Sequence, residues 1–538
     1  MKKFSFRFHL ILISGSYNNK KFYSQALTMT NSNSLNSPFQ KFALQDLKAG
    51  MVVFLIALPL SLGISLASGA PSTAGLISAA LGGILGAYLG GSYVTINGPA
   101  AGLIVVVLNA IQSLGEGDAA LGFKRMLACV IIVGILQILS GFLKFGRFAA
   151  LFPLSVVHGM LSAIGLIIII KQSHVFFGQK AQGSIINSII TIPQTIGNLN
   201  PESSLIGLMS LVLLLIYPFL KIKISKVIPA PLVVVVLGVL LAKYFSSASL
   251  VNIPTDISSF FITPSFDIIF SSASLMAIFS LYFVASLESI LSASAVDKLD
   301  PLNRESNFDR ELWSKGIVNI ACGLIGGLPI IAEIVRSSAS ISQGARSPLA
   351  NFSHGFYILI FLILFPAVLN MIPLSSLAAI LILVGYRLAQ PKQVLHMKKL
   401  GTGSFISFLT TIILTLVEDL LIGIFAGMMI KIIVSLANGA TAASLLKPKY
   451  QLTNQGESAL LEFEGALIFF SALSQKSILS KLSQFREIEI KIDHVQYIDA
   501  TSLTIFINEI HKMEKQGLRI SFNVPPKFMP LFIHVNNH

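Results

Sequence analysis

Glu288, Glu333 and Arg336 are charged residues set inside stretches that are otherwise apolar or small. A charge at bilayer depth is costly and as a rule marks an ion path or a ligand site. Arg336 lies in Gly326-Gly327-Leu328-Pro329-Ile330-Ile331-Ala332-Glu333-Ile334-Val335-Arg336-Ser337, where glycine, proline and charge interrupt an apolar run. A matching interruption, Gly90-Gly91-Ser92-Tyr93-Val94-Thr95-Ile96-Asn97-Gly98-Pro99-Ala100-Ala101-Gly102, occupies the corresponding place in the first half. Each is followed by too few residues for a full crossing. Paired broken helices of this kind point to the substrate site of a transporter. A helix start offers backbone N–H groups and the positive end of the dipole, and Arg336 adds a full positive charge. The chemistry this implies is reversible capture of an anion.

The candidate anion ligands are therefore Pro99, Ala100, Ala101 and Gly102 at one helix start and Val335, Arg336 and Ser337 at the other. Ser61 and Ser65, just after Pro59, add possible hydroxyl donors, of which Ser61 is counted among the candidate anion ligands. A carboxylate cannot hold an anion directly, so Glu288 reads as a proton carrier. With Ser292 one turn later it could instead ligate Na+ through oxygens. Glu333, one turn before Arg336, is a second protonatable group or the partner of the arginine. The plain alternative is an ion pair of Arg336 with Glu288 or Glu333 that only locks helices together.

The elements that must position these residues are membrane spans. The chain has 538 residues, 54% of them hydrophobic and 12% charged, with a mean hydropathy of +0.79. About fourteen apolar spans approach the length of a crossing. They fall near 48–68, 71–90, 97–112, 121–143, 151–171, 203–220 and 229–245, then near 273–294, 314–326, 329–343, 352–372, 374–389, 402–418 and 420–438. The net charge of +14 does not argue for nucleic acid, because Lys and Arg lie in short loops between spans rather than on one face. With both termini inside, Lys144, Arg147, Lys221, Lys223, Lys226, Lys298 to Lys315, Arg346, Arg387 to Lys399, Lys447 and Lys449 fall on the cytoplasmic side. Lys124, Arg125, Lys171, Lys180 and Lys243 fall outside, an asymmetry of about three to one. Seven spans in each half imply an inverted-topology repeat.

Residues 1–41 are expected to be a disordered cytoplasmic tail. Its run Phe8 to Ile13 is too short to cross and imitates a signal peptide without a clear cleavage site, and Met29 is an alternative start. Cys129 and Cys322 read as small core residues. His158, His174 and His354 lack metal-ligand spacing and read as loop or packing residues. No P-loop, nucleophile triad or zinc motif is present, so neither an enzyme, a metal site, a cofactor nor ATP-driven transport within this chain is expected.

After a linker over 441–452 the pattern changes. Ser458–Phe463 and Glu487–Ile492 alternate as half-buried strands do, Thr501–Gln516 has helical spacing closed by Gly517, and Leu518–Phe522 is a further strand. Residues 453–538 therefore form a small α/β domain, cytoplasmic because the preceding loop is positive.

These motifs carry a family resemblance. Asp46-Leu47-Lys48-Ala49-Gly50 and Leu58-Pro59-Leu60-Ser61-Leu62-Gly63 resemble the opening of the SulP anion transporters. Gly90-Gly91-Ser92 with Ile96-Asn97-Gly98-Pro99 is similar to that family's third-span motif, and Ser286-Leu287-Glu288-Ser289 to its eighth span. Asn319, Gly323 and Gly326-Gly327-Leu328-Pro329 resemble its ninth span and the approach to the tenth. Val495 to Leu503 resembles the motif of a STAS domain. In such domains of bacterial regulators a phosphorylated Ser or Thr stands where Thr501 stands here, which makes Thr501 a candidate phosphosite or simply a helix-opening residue.

The resemblance implies a membrane domain over 42–440 with a core bundle (spans 1–4 and 8–11) moving against a gate bundle (5–7 and 12–14). It implies that spans 3 and 10 meet near the midplane. In the animal branch of the family an arginine at the place of Arg336 faces the anion, and bacterial relatives often carry an acid at the place of Glu288. The expected protein is a secondary-active, elevator-type transporter of an inorganic anion, sulfate first, in the inner membrane and coupled to protons. Bicarbonate carried with Na+ or H+ is the alternative cargo. An anion channel or an anion-sensing regulator is the alternative class. Lipid bilayer, H+ or Na+ and a second copy of the chain are the expected partners.

Overall fold

In the computed structural model, residues 38–180, 184–220, 228–245, 247–254 and 256–536 are described. The tail expected to be disordered lies outside them up to residue 37, as do Lys221, Lys223 and Lys226. The first half runs α1 (Pro38–Ala67), α2 (Ser72–Leu89), β1 (Ile96–Gly98), α3 (Ile104–Leu114), α4 (Ala119–Phe142), α5 (Leu154–Phe176), α6 (Ile185–Gly197), α7 (Pro201–Ile216) and α8 (Ala230–Ala242). The second runs α9 (Ser272–Asp297), α10 (Phe308–Ile325), β2 (Ile331–Glu333), α11 (Ile334–Ser342), α12 (Leu349–Leu364), α13 (Pro366–Leu369), α14 (Leu374–Leu388), α15 (Pro391–Lys399), α16 (Thr402–Val417) and α17 (Leu420–Ala437). Eight helical segments among the described residues are long and apolar enough to cross a membrane, and Ala101–Leu114, Ala230–Ala242, Leu349–Leu364 and Thr402–Val417 are shorter apolar helices. Each expected span contains a helix, and those of the third and tenth spans begin only after a three-residue strand.

Several expectations of extent need correction. Helix α1 begins at Pro38, inside the stretch expected to be disordered up to residue 41. The ninth span starts at Phe308, not 314, because Asn307 caps it by accepting the Arg310 N–H at 2.9 Å. Its charges hid that start from a hydropathy reading. Glu311 and Lys315 form a fully buried pair one turn apart, and Glu311 also accepts the Gly91 N–H at 2.8 Å. The helices α6 and α15 stand between spans where loops were expected.

The helices sort into two groups. In one, α4 packs most extensively on α10, and α2 and α1 on α12, with α9 and α3 against α4; in the other, α16 packs on α17 and α5 on α14 and α16. Small residues let backbones approach, as membrane helices require without a hydrophobic drive between them. A β-carbon on Gly83 would lie 2.5 Å from Cα of Gly355, and one on Gly134 would lie 2.5 Å from the Gly316 carbonyl. These contacts join spans 2 and 11 and spans 4 and 9, which an inverted repeat exchanges.

The C-terminal domain holds α18 (Ala442–Leu446), β3 (Lys449–Gln455), β4 (Ser458–Leu467), α19 (Ala472–Ser480), β5 (Glu487–Ile498), α20 (Ala500–Lys515), β6 (Arg519–Asn523) and α21 (Met529–Asn536). Its sheet has the order β3-β4-β5-β6, with the first pair antiparallel and the others parallel. The first strand begins at Lys449, inside the stretch expected to be a linker, and α18 before it carries a capping box from Thr441 and Ser444. The alternating faces of β4 and β5 bury Leu461, Phe463, Ile488, Ile490 and Ile492 against Leu503 and Phe506 of α20.

Candidate anion site

The two broken stretches meet. β1 and β2 pair antiparallel, with Ile96 opposite Glu333, Asn97 opposite Ala332 and Gly98 opposite Ile331. Glycine and proline together explain the breaks: α2 and α10 end at Gly90 and Gly326, and Pro99 and Pro329, which donate no N–H and hold the residue before them extended, keep the paired segments out of a helix. Gly326 closes α10 at φ 104°, a left-handed turn that glycine enters without strain. After β1 the chain enters the 3-10 turn Ala101–Leu103 and then α3; after β2 it enters α11 directly. Neither start is capped by a side chain. The Ala101 and Gly102 N–H groups of the 3-10 turn and the first N–H groups of α11 therefore lack intrahelical acceptors beside the paired strands.

Arg336 reaches back over this crossing. It is 1% exposed, and its Nη2 donates to the Pro99 carbonyl at 3.1 Å. Its Nε and Nη1 have no hydrogen-bond partner among the described residues. A β-carbon at Gly98 would lie 2.6 Å from Nη1, so the absent side chain there leaves the guanidinium its place. Among the described residues Arg336 forms no ion pair within 4.0 Å, so the helix-locking pair with Glu288 or Glu333 is not formed. A buried cation with two idle donor nitrogens beside two uncapped helix starts is an arrangement that an anion completes.

The acids lie on the same crossing. Glu288, on α9, is buried and its Oε1 is unpartnered among the described residues. A β-carbon at Gly102 would overlap its carboxyl group, which places Glu288 directly against the first helix start. Glu333 takes the N-cap position of α11 without a side-chain cap bond and lies within electrostatic range of both Glu288 and Arg336. Ser292, one turn beyond Glu288, is half-buried. Gly102→Val is expected to abolish uptake while the protein still assembles, because overpacking costs about 1–3 kcal/mol and here pushes Glu288 off the helix start. Uptake into vesicles, read beside the thermal midpoint, checks this, and wild-type uptake would show that the Gly102–Glu288 contact carries no function.

The remaining candidates separate. Pro99 and Ala100 are buried at the crossing, and Ala101 is half-buried. The Val335 side chain is 45% exposed, so only its backbone N–H can serve a ligand. Ser337 has a different part from the one expected: its hydroxyl donates to the Glu333 carbonyl at 2.5 Å and accepts the Ile96 N–H at 2.8 Å. It fastens the strands and is not free to hold an anion. The Ser61 hydroxyl is buried and unpartnered among the described residues. Ser65 is spent, donating to the Ser61 carbonyl and accepting the Gly75 N–H at 2.6 Å. Thr501 stands far along the chain, where its buried hydroxyl accepts the Leu154 N–H at 3.2 Å at the start of α5. The cap of α20 is Asp499, which accepts the Ser502 N–H at 2.8 Å, so Thr501 docks the tail domain on the gate helices.

Several supporting roles were not foreseen. Asn351 accepts the Asn97 N–H at 3.0 Å and donates to the Gly82 carbonyl at 3.2 Å. His354, read as packing, is fully buried within electrostatic range of Arg336. A buried chain runs from Ser286 through Gln137 to Asn319, whose Oδ1 accepts the Ile330 N–H at 2.7 Å. It ties the helix of Glu288 to the approach to β2. Isolated polar residues in apolar spans were the available signal for each. His174 is a packing residue, its ring nitrogens 2.6 Å from Thr195 Oγ1 and 2.9 Å from the Ser188 carbonyl, and both cysteines are free and buried.

A multi-span helical fold whose two halves meet through paired broken helices defines a membrane transporter rather than an enzyme. The profile of the sulfate permease family matches residues 44–413, and the chain belongs to that family of anion transporters. YvdB of Bacillus subtilis, which carries a provisional sulfate-transporter name, is 26% identical over 503 residues, covering 90% of this chain and 89% of its own. The solved transmembrane domain of a cyanobacterial bicarbonate transporter, BicA, superposes with a TM-score of 0.63 at 26% identity, over 72% of this chain and 97% of that one. The murine anion transporter Slc26a9, at 16% identity, shares the fold with a TM-score of 0.65 over 96% of this chain and 93% of its own. An inorganic anion is thus the substrate class and the lipid bilayer the surroundings.

Proposed function

We propose that the chain is a secondary-active carrier of sulfate that works by elevator-type movement of the α1–α4 and α9–α12 bundle against the rest, with proton coupling through Glu288. The observation that carries this reading is the buried Arg336 guanidinium, with two unpartnered nitrogens, set across two uncapped helix starts. Charge supports the coupling. Each helix start is worth about half a positive charge, and Arg336 adds one. With Glu288 and Glu333 both ionised the crossing is close to neutral; protonating one of them leaves it net positive. Proton and anion then favour each other's binding, and linkage makes that favour reciprocal. A doubly charged anion gains more from this than a singly charged one.

Bicarbonate is the second reading, supported by the likeness to BicA; Na+ held by Glu288 and Ser292 oxygens would then take the proton's place. On this reading of the site the carrier resides in the inner (plasma) membrane with both termini cytoplasmic and works as a homodimer. The test is uptake of labelled sulfate into proteoliposomes under an inward proton gradient without sodium, with unlabelled bicarbonate as competitor. Saturating uptake that bicarbonate does not inhibit is the expected result. No sulfate uptake by folded protein would move bicarbonate and sodium to the front.

A further inference from the structure

The two helix starts of the crossing belong to different halves of the chain, and the ladder that joins them is short. β1 and β2 share three residue pairs, and a two-stranded pairing of that size is marginal alone. A slip of one residue would move β2 by about 3.3 Å and turn its side chains to the other face. Arg336 follows the end of β2 closely in the chain, so a slip would carry the guanidinium away from the Pro99 carbonyl. The register therefore needs a hold from outside the ladder.

One helix grips both approaches to it. On α10, the fully buried Asn319 holds Ile330, the residue just before β2: its Oδ1 accepts the Ile330 N–H at 2.7 Å and its Nδ2 donates to the Ile330 carbonyl at 3.4 Å. The start of the same helix holds Gly91, ahead of β1: Glu311 Oε2 accepts the Gly91 N–H at 2.8 Å, and the Asn307 N–H donates to the Gly91 carbonyl at 3.0 Å. A β-carbon on Gly91 would lie 2.1 Å from the Asn307 carbonyl oxygen, so glycine is required for that approach. Glu311 and Asn319 stand about 12 Å apart along the helix axis at 1.5 Å per residue, and this rigid spacing separates the two grips. Ser78 of α2 adds a single bond to the Leu328 carbonyl at 2.8 Å. Asn319 also reaches a third element. Its Nδ2 donates to Gln137 Oε1 at 2.8 Å, and Gln137 Nε2 donates to Ser286 Oγ at 3.2 Å, on the helix of Glu288.

We propose that Asn319 is a positioning residue for anion transport: it pins the register of β2 on β1, so that Arg336 stands against the first helix start, and through Gln137 it keeps the helix of Glu288 in the same frame. Its amide engages both backbone groups of Ile330 as a neighbouring strand would, and so replaces the ladder that the three residue pairs cannot supply. Asn319 acts through Arg336 and does not itself hold the anion. This role rests on the reading of the crossing as the anion site.

The test is equilibrium binding of labelled sulfate to the full chain and sulfate exchange in proteoliposomes, with Asn319→Leu, which keeps the volume and removes the amide. Kd and KM should rise at least about tenfold while the saturating rate stays within about threefold of wild type. A merely structural defect would instead lower the saturating rate, through less working protein, and leave KM in place. Gln137→Met frees the Asn319 Nδ2 proton but leaves Ile330 gripped; it should raise KM about threefold and decides the matter if Asn319→Leu fails to fold. In an Arg336→Ala background Asn319→Leu should weaken binding by less than about twofold more, because residues that act through one another are not additive. Wild-type KM in whichever of the two variants folds would overturn the proposal, and so would the full tenfold loss in the Arg336→Ala background. Undiminished affinity in Arg336→Ala alone would overturn the reading of the crossing itself, and the role of Asn319 would fall with it.

Discussion

Arg336→Ala is expected to weaken sulfate binding by at least about thirtyfold without unfolding the protein. Truncating one member of a buried, hydrogen-bonded charge pair costs about 2–5 kcal/mol, and every 1.4 kcal/mol is tenfold. Among the described residues Arg336 donates one hydrogen bond, to the Pro99 carbonyl, and forms no ion pair within 4.0 Å, so its removal leaves one acceptor unpaired. Most of the loss should therefore fall on the ligand. Arg336→Lys should recover charge but only part of the affinity, because an ammonium cannot reproduce the planar fork. Binding titrations on folded variants check both. Undiminished affinity in Arg336→Ala would remove the guanidinium from the site and leave the helix starts alone to account for anion capture.

Glu288→Gln is expected to abolish accumulation of sulfate driven by a proton gradient while exchange of internal for external sulfate continues. The amide keeps the shape of the protonated acid against Gly102 but neither takes up nor releases a proton. The crossing then stays in its net positive form, so affinity persists and loses its dependence on external pH. Accumulation ratios and counterflow, measured in the same vesicles, separate the two effects. Unchanged accumulation would sink the coupling role and shift attention to Glu333, the other acid within electrostatic range of Arg336.

Much of this arrangement is legible in the chain of residues itself. The span positions follow from hydropathy because a bilayer requires each crossing to bury its backbone polar groups internally. The breaks at Pro99 and Pro329 mark the crossing because proline and glycine interrupt a helix where an apolar run would otherwise continue it. The partition of roles within the crossing is not legible in this way. Ser337 follows a break and Ser61 follows Pro59 within α1, and both are candidate hydroxyl donors, yet Ser337 is consumed by the Ile96 N–H and the Glu333 carbonyl while Ser61 stays unpaired among the described residues; only three-dimensional register separates them. The contact of Glu288 with Gly102 is equally hidden, since it joins residues on different helices across both halves. The buried Glu311–Lys315 pair pulls the start of α10 out of the hydropathy signal. In the tail, α20 and Gly517 are readable from helical spacing and a left-handed stop, whereas the docking of Thr501 on Leu154 depends on a surface that the tail does not itself encode.

The most direct measurement is an anomalous difference map at the selenium edge from crystals of the protein grown with selenate, a heavy stand-in for sulfate. Selenate is expected with its oxygens within hydrogen-bond reach of Arg336 Nη1, of the Ala101 and Gly102 N–H groups and of the first N–H groups of α11. Selenium elsewhere, with that crossing empty at a concentration that saturates transport, would contradict the assignment of the crossing as the anion site.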